Sequence, residues 1–273
     1  NDTRWHESKV QANRNFTNKI NNAARFILMN LNDFDEKEKI DENDLHITDK
    51  WILSRKNNIV KEVTNNLEKY ELGIAAEKLY NFIWNEFCDW YIEFVKPRLA
   101  SDNIKDKKAA QNTLYTVFMD TLKLLHPYMP FITEEIYSYM PSAEGMIIAS
   151  KWPSYNDEGI YLNEENSIEM IIEAIRAVRN ARSNMNIPPS KKAAGYILAN
   201  DENAKKVFED SKSILIKLAS FSDIEFTTDE KEDSLCVVVS SGNIYIPMGE
   251  LIDKEKEKER LLSEENKLIG ELK

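Results

Sequence analysis

Residues 81–94 read NFIWNEFCDWYIEF. Ile83, Phe87, Trp90 and Phe94 recur at steps of three and four, and Trp84, Tyr91 and Val95 flank that row. Helical spacing with aromatic side chains on so wide an arc predicts a helix buried between neighbours. The pattern runs from about residue 74 to 99, with Gly73 as the expected break before it. A helix of this kind needs partners, and the chain supplies them on both sides. One helix is expected over residues 3–31, where Val10, Asn13, Thr17, Ile20 and Ala24 share a stripe that Phe16, Ala23, Phe26 and Ile27 broaden. A second is expected over residues 48–70, with Thr48 as its N-cap. A third is expected over residues 105–125, stopped by the two prolines of HPYMPF at 126–131, and a short one over residues 132–139. The acidic run DFDEKEKIDEND at 33–44 reads as a surface loop. Short connections between such helices predict an antiparallel bundle over residues 1–140.

Beyond it the texture changes. Residues 141–162 carry Pro and Gly and read as a connector. Residues 163–249 read as a small α+β domain. Its elements are a helix over 165–185, a strand over 193–199, a helix over 202–219, a strand over 223–228, and a hairpin turning near Ser241-Gly242-Asn243. Over residues 250–273, dense and balanced charge, with Leu261 seven before Leu268 and Leu262 seven before Ile269, predicts the start of a coiled-coil arm. The fold class is therefore mainly α: a helix bundle, a small α+β domain and a truncated coiled-coil helix.

Bulk properties narrow the function. The chain has 273 residues, enough for two domains, and its seven glycines favour long helices over turn-rich β architecture. No apolar run is long enough to span a membrane, and the first residues, NDTRWHESKV, lack the apolar core of a secretory signal. The first residue is not Met, so a piece of a longer chain is expected. Cys88 and Cys236 form no paired motif, and a reducing, cytoplasmic compartment is the expectation. There is no Gly-rich phosphate loop, no GxSxG, and no metal-like spacing among His6, His46 and His126. Neither a catalytic residue nor a metal ligand is expected, and His126, beside Pro127 at a helix end, reads as a capping or core residue.

Binding is better supported than catalysis. The formal net charge is -11, yet residues 176–192, RAVRNARSNMNIPPSKK, hold five cations and no acid. Arg176, Arg179 and Arg182 lie three apart on one helix face, and planar guanidinium forks suit phosphate oxygens. The first helix carries Arg4, Lys9, Arg14, Lys19 and Arg25 against Asp2 and Glu7, and the second begins with Lys50, Arg55, Lys56 and Lys61. Such cations either answer the chain's own acids or hold an external anion. Phe16, Phe26 and Trp51, beside them, are either core or platforms for unpaired bases. A contrasting expectation is a protein-interaction module of helices and coiled coil, which the Lys/Glu mixture of the tail fits.

Several ordered motifs carry a resemblance. RNFTNKINNAARFILMNL (14–31), DKWILSR (49–55), NEFCDWYIEFVKPRL (85–99), LLHPYMPFITEEIY (124–137) and SKWP (150–153) appear in this order. The set resembles the anticodon-binding bundle of the class I aminoacyl-tRNA synthetases for branched aliphatic amino acids. IRAVRNARSNMNIPPSKK (175–192), NIYIPMGELID (243–253) and the charged leucine helix are similar to the valine-specific members. The resemblance covers nearly the whole chain. It implies recognition of valine tRNA, through the anticodon, by a C-terminal piece of a ligase. The parent would join valine to tRNA with ATP and Mg in catalytic and editing domains upstream, leaving this piece without cofactor and inactive alone. It implies that Arg14, Lys19, Asn22 and Arg25 contact the anticodon and that Phe26 and Trp51 stack on bases. Arg176, Arg179 and Arg182 form an alternative contact set, or a lock holding the small domain. The family pattern often has Trp where this chain has Asn21, so a core or stacking group is absent there.

Overall fold

A computed structural model of the chain describes residues 7–36 and 40–251. The expected coiled-coil arm at 250–273 lies almost wholly outside the described residues. The chain divides into two compact units at Glu165/Asn166.

The first unit is a helix bundle, as the hydrophobic periodicity predicts. Its elements are α1 (Glu7–Asn30), α2 (Ile47–Glu68), α3 (Leu72–Asn81), α4 (Ile92–Leu99), α5 (Ile104–Leu125) and α6 (Pro130–Ser138). Between α3 and α4 the chain runs on without a break, but Phe82–Tyr91 is a π-helix. The sequence predicts a single α-helix here. The structure instead widens ten residues of it into i→i+5 bonding, and side-chain spacing alone does not announce that change. The widened turn buries Phe82, Ile83, Phe87, Trp90 and Tyr91 together. Phe87 stacks on Tyr91 and on Phe118 of α5, with centroids 6.1 and 6.0 Å apart. Burying each such ring stabilises the bundle by about 1.5–3 kcal/mol. The expected break at Gly73 falls instead at Tyr70, whose positive φ of 60° ends α2, and Gly73 lies inside α3.

The N-cap of α2 is also displaced from expectation. His46, not Thr48, caps the helix: its ring accepts from Thr48 N, while the Asp49 carboxylate accepts from His46 N at 3.1 Å. Asp49 is fully buried. It takes a bidentate pair from Arg98 of α4, both bonds 2.7 Å, and a hydrogen bond from the Tyr91 hydroxyl at 2.7 Å. Arg98 also donates from Nε to Asp106 of α5 at 2.7 Å. One ion cluster thus ties α2, the π-helix, α4 and α5.

Burial first, and the adjacent Arg98 charge second, hold the His46 imidazole below its ordinary 6.5. A neutral ring can keep the cap, because its unprotonated nitrogen is the acceptor. The unfolded chain takes up a proton near pH 6.5 while the folded chain resists it. Stability is therefore complete above about pH 6.5 and falls as the pH drops below it. Urea unfolding between pH 7.5 and 5.5 is expected to show this loss. His46→Asn, which keeps an acceptor without titrating, is expected to flatten the profile over that window, and an unchanged slope would refute the assignment to His46.

The stretch 141–162, expected as a connector, is fastened along the first unit. Pro141 O accepts from Tyr115 Oη, Trp152 Nε1 donates to Thr64 Oγ1 at 2.9 Å, and Tyr161 N donates to Ser54 Oγ at 2.9 Å.

The second unit holds most of α7 (Leu162–Asn184), then β1 (Ala193–Ala199), α8 (Glu202–Asp210), α9 (Lys212–Leu218), β2 (Phe221–Phe226), β3 (Ser234–Val239) and β4 (Gly242–Pro247). The expected helix over 202–219 is two helices, parted at Ser211. The strand order is β2-β1-β4-β3. β1 and β2 are parallel, joined by the α8–α9 crossover, and the other pairs are antiparallel. Phe208, Leu215, Phe221, Ile197, Ile224, Ile244 and Ile246 fill the core. Gly195 lies against the Phe221 ring, where an added Cβ would stand 2.7 Å from a ring carbon.

Candidate nucleic-acid interface

The three basic segments separate once their partners are known. On α2 the cations are spent internally. Arg55 forms a bidentate pair with Glu86 at 2.7 and 3.0 Å and lies 3.5 Å from Glu165. Lys56 bonds Asp120 at 2.8 Å, Lys50 lies 4.0 Å from Glu164, and Lys61 sits 4.2 Å above the Tyr155 ring. The chain's own acids and rings answer this segment.

On α7 the row divides. Arg176 and Arg179 are exposed, and Arg179 donates from Nε to Leu218 O at 2.7 Å inside the second unit. Arg182 is 3 % exposed, contrary to the expectation of a surface row. Its Nη2 donates to the carbonyls of Pro188 and Lys191, holding the loop after α7 against the helix end. Burial lowers the Arg182 pKa. The reason the row fails is rotational: residues three apart on a helix differ by about 60°, enough to turn the last of three inward.

On α1 the positive charge stays available. Phe16, Ile20, Ala23, Ala24 and Ile27 are buried, which turns Arg14, Asn21, Asn22 and Arg25 outward. Arg14 and Arg25 make no ion pair or hydrogen bond among the described residues. Lys19 is engaged: it bonds Asp89 at 2.5 Å and lies 3.8 Å over the Trp84 ring, so its charge is partly answered. Phe26 is half-buried, with Lys96 5.9 Å from its ring centre. Trp51 is 2 % exposed and packs edge-on against Phe94, so it is core and the expected stacking role gives way. The π-helix supplies both Trp84 and Asp89 to Lys19, a role that periodicity did not mark.

Beside the outward face of α1 runs a groove of about 680 Å³, walled by α6. Asn21, Arg25, Met29 and Asn32 line one side and Glu135 and Tyr139 the other. Nothing local in the sequence marks Tyr139, which lies more than 100 positions from α1 and closes a short helix. Burial pushes the Cys88 thiol up to about 12, His126 Nδ1 pairs with Thr133 Oγ1 at 2.8 Å, and no metal-binding group of His, Cys, Asp or Glu exists among the described residues. No helix among them is long and apolar enough to cross a membrane.

Residues 49–197 match the family described as the anticodon-binding domain of tRNA ligase. The chain is 47 % identical over 279 residues to the valine--tRNA ligase of Clostridium perfringens, and 46 % identical over 279 residues to that of Clostridium acetobutylicum. It is 40 % identical over 275 residues to that of Carboxydothermus hydrogenoformans. Each comparison covers all of this chain and 31 % of the relative, so the chain spans about a third of their length.

Proposed function

Because the chain belongs to the family of the anticodon-binding domain of tRNA ligases, we propose that it binds tRNA at the anticodon loop, and that the tRNA is the valine acceptor. The observation that carries the proposal is the outward face of α1. Arg14 and Arg25 stand there exposed, with no ion pair or hydrogen bond among the described residues, in a chain of net charge -11. An anticodon loop offers what such a face can hold: unpaired bases with free edges, and closely spaced phosphates. Arg25 and Asn22 reach base edges or phosphate, Arg14 answers backbone charge, and Lys19 contributes through its partly neutralised pair. Phe26 offers a half-exposed ring. Arg176 and Arg179 are a lesser contact set on the second unit.

In this reading the chain is the recognition part of a valine–tRNA ligase working in the cytoplasm. Joining valine to tRNA, with ATP and Mg, belongs to other parts of that ligase, whose catalytic and editing domains are partners of this one. The arm at 250–273 would add contacts to the tRNA. The alternative of a protein-interaction module rests on those same tail residues, nearly all outside the described region, and no feature of the two units favours it.

The test is fluorescence anisotropy of labelled valine tRNA against the 273-residue chain. Binding is expected to weaken steeply with salt, as phosphate contacts release counterions. Replacing the anticodon bases is expected to weaken it further. Arg25→Ala is expected to lower affinity about ten- to a hundredfold, the worth of a hydrogen bond to a charged group. Affinity indifferent to the anticodon and to Arg25 would leave only a charge-driven surface. Absence of binding at low salt would overturn the proposal.

A further inference from the structure

The turn that follows α7 is built around a buried charge. Asn186, with a left-handed φ of 55°, ends the helix. Ile187 N donates to Arg182 O at 2.9 Å and Asn186 N to Ser183 O at 3.0 Å, the pattern of a Schellman cap. Residues Pro188, Pro189, Ser190 and Lys191 then form a turn, closed by Lys191 N donating to Pro188 O at 3.0 Å. Proline suits its second position. From inside, Arg182 Nη2 donates to the Pro188 and Lys191 carbonyls. Across a trans peptide the N–H points opposite to the C=O. Because Lys191 O faces Arg182, the Lys192 N–H is directed away from it, outward.

Local packing leaves the Arg182 charge unexplained. The side chain is 3 % exposed, meets no carboxylate among the described residues, and has no acceptor for Nε or Nη1. An arginine stays charged even so. Two carbonyls and the negative end of the α7 dipole, about half an elementary charge, offset only part of it. The remainder acts on the solvent side of the turn, one peptide layer away. There Lys191 and Lys192 are exposed, with no ion pair among the described residues. Ser190 is exposed too, and neither its hydroxyl nor its N–H is bonded among them. Two ammonium groups in front, a guanidinium behind, and outward N–H and O–H donors make the surroundings of an oxyanion. A phosphate, with up to two charges and three acceptor oxygens, uses more of that set than a carboxylate does. Residues 182–192 include no aromatic side chain to stack on a base, so the set reads phosphate alone.

We infer that the Pro188–Lys191 turn, with Lys192 beside it, is a phosphate-binding site on the second unit, shaped and charged from behind by Arg182. It involves neither α1 nor an anticodon, so it stands apart from the proposed function. Free phosphate and the backbone of an RNA both present the group it takes, and the test separates them.

The experiment follows the amide NMR signals of Ser190 and Lys192 in the full 273-residue chain as inorganic phosphate is added, with ionic strength held constant by chloride. Both signals are expected to shift saturably with phosphate and not with chloride. Lys191→Ala/Lys192→Ala is expected to weaken binding about tenfold or more, the worth of a hydrogen bond to a charged group. Lys206→Ala/Lys217→Ala removes two equally exposed charges elsewhere on the second unit and is expected to change little. Arg182→Met is expected to weaken binding several-fold, and Arg182→Lys, which keeps the charge, to retain more of it. Thermal melting confirms that each variant is folded. A short RNA duplex, with phosphates but no unpaired bases, is the second probe. Shifts of the same two signals at far lower duplex than phosphate concentration would assign the site to an RNA backbone, and shifts with phosphate alone to a small phosphate ligand. No saturable shift with either probe, or equal weakening by the two lysine pairs, would overturn the site. Unchanged affinity in folded Arg182→Met would overturn the part given to Arg182.

Discussion

Replacing Arg98 with Met is expected to destabilise the first unit by about 3–5 kcal/mol, the usual penalty for stranding one member of a buried ion pair. Asp49 has no exposed surface. With the guanidinium gone, its carboxylate keeps only the Tyr91 hydroxyl and the His46 amide as donors. The loss spreads across four elements, because Asp49, Tyr91, Arg98 and Asp106 each come from a different one. Urea denaturation followed by far-UV circular dichroism reads it directly, as a lowered midpoint at unchanged slope. The double substitution Arg98→Met with Asp49→Leu is expected to recover part of the loss, since it removes the stranded charge. Arg182→Met makes the internal comparison. Arg182 is equally buried, but it has no carboxylate partner among the described residues, and its Nε and Nη1 protons find no acceptor there. Removing it discards orphaned donors along with two bonds to carbonyls, so a loss of about 1 kcal/mol is expected. Equal losses at Arg98 and Arg182 would mean that side-chain volume, not the ion cluster, sets the stability.

Gly242→Val is expected to unfold the second unit selectively, at a cost of about 3 kcal/mol or more. Gly242 has φ of +152°, and a Cβ built on it would lie 2.3 Å from Leu198 O and 3.0 Å from Ala199 Cα. Both obstacles are backbone, so no rotamer change relieves them. The position also cannot shift easily, because Gly242 pairs with Ala199 of β1 and with Val239 of β3 at once. Distorting it loosens β4, one of the two central strands of the sheet. Unfolding should then become biphasic. Of the five tryptophans, the four that are described, Trp51, Trp84, Trp90 and Trp152, all lie in the aromatic-rich first unit. Tryptophan fluorescence should therefore report the surviving transition, and circular dichroism both. A single transition at the parental midpoint would show that the strand crossing tolerates a side chain.

The two substitutions mark different degrees of legibility. The helices of the first unit could be read from sequence because their signal is local: apolar side chains every three or four residues over two or more turns, closed by Pro or a polar run. α1 and α5 fall within a few residues of where that pattern puts them. The π-helix was invisible, since a wide aromatic arc fits i→i+4 and i→i+5 bonding alike. His46 was passed over as a cap because Thr48 offers the commoner capping side chain two residues on. The parallel pairing of β1 with β2 depends on a crossover that places strands 20-odd residues apart side by side, which neither strand encodes alone.

For the site, the sequence by itself determined that positive charge gathers on three segments of an acidic chain and that the first is an amphipathic helix. Side-chain type and helical period are properties of the chain. Which charges remain free was decided only by the tertiary structure. Arg55, Lys56 and Lys61 meet Glu86, Asp120 and Tyr155 at sequence separations of 31 to 94, and Arg182 turns inward. Arg14 and Arg25 meet no such partner among the described residues, and Tyr139 arrives opposite Arg25 from a helix more than 100 residues away. An ion pair or a groove wall is a meeting of two surfaces, and sequence spacing fixes only one of them.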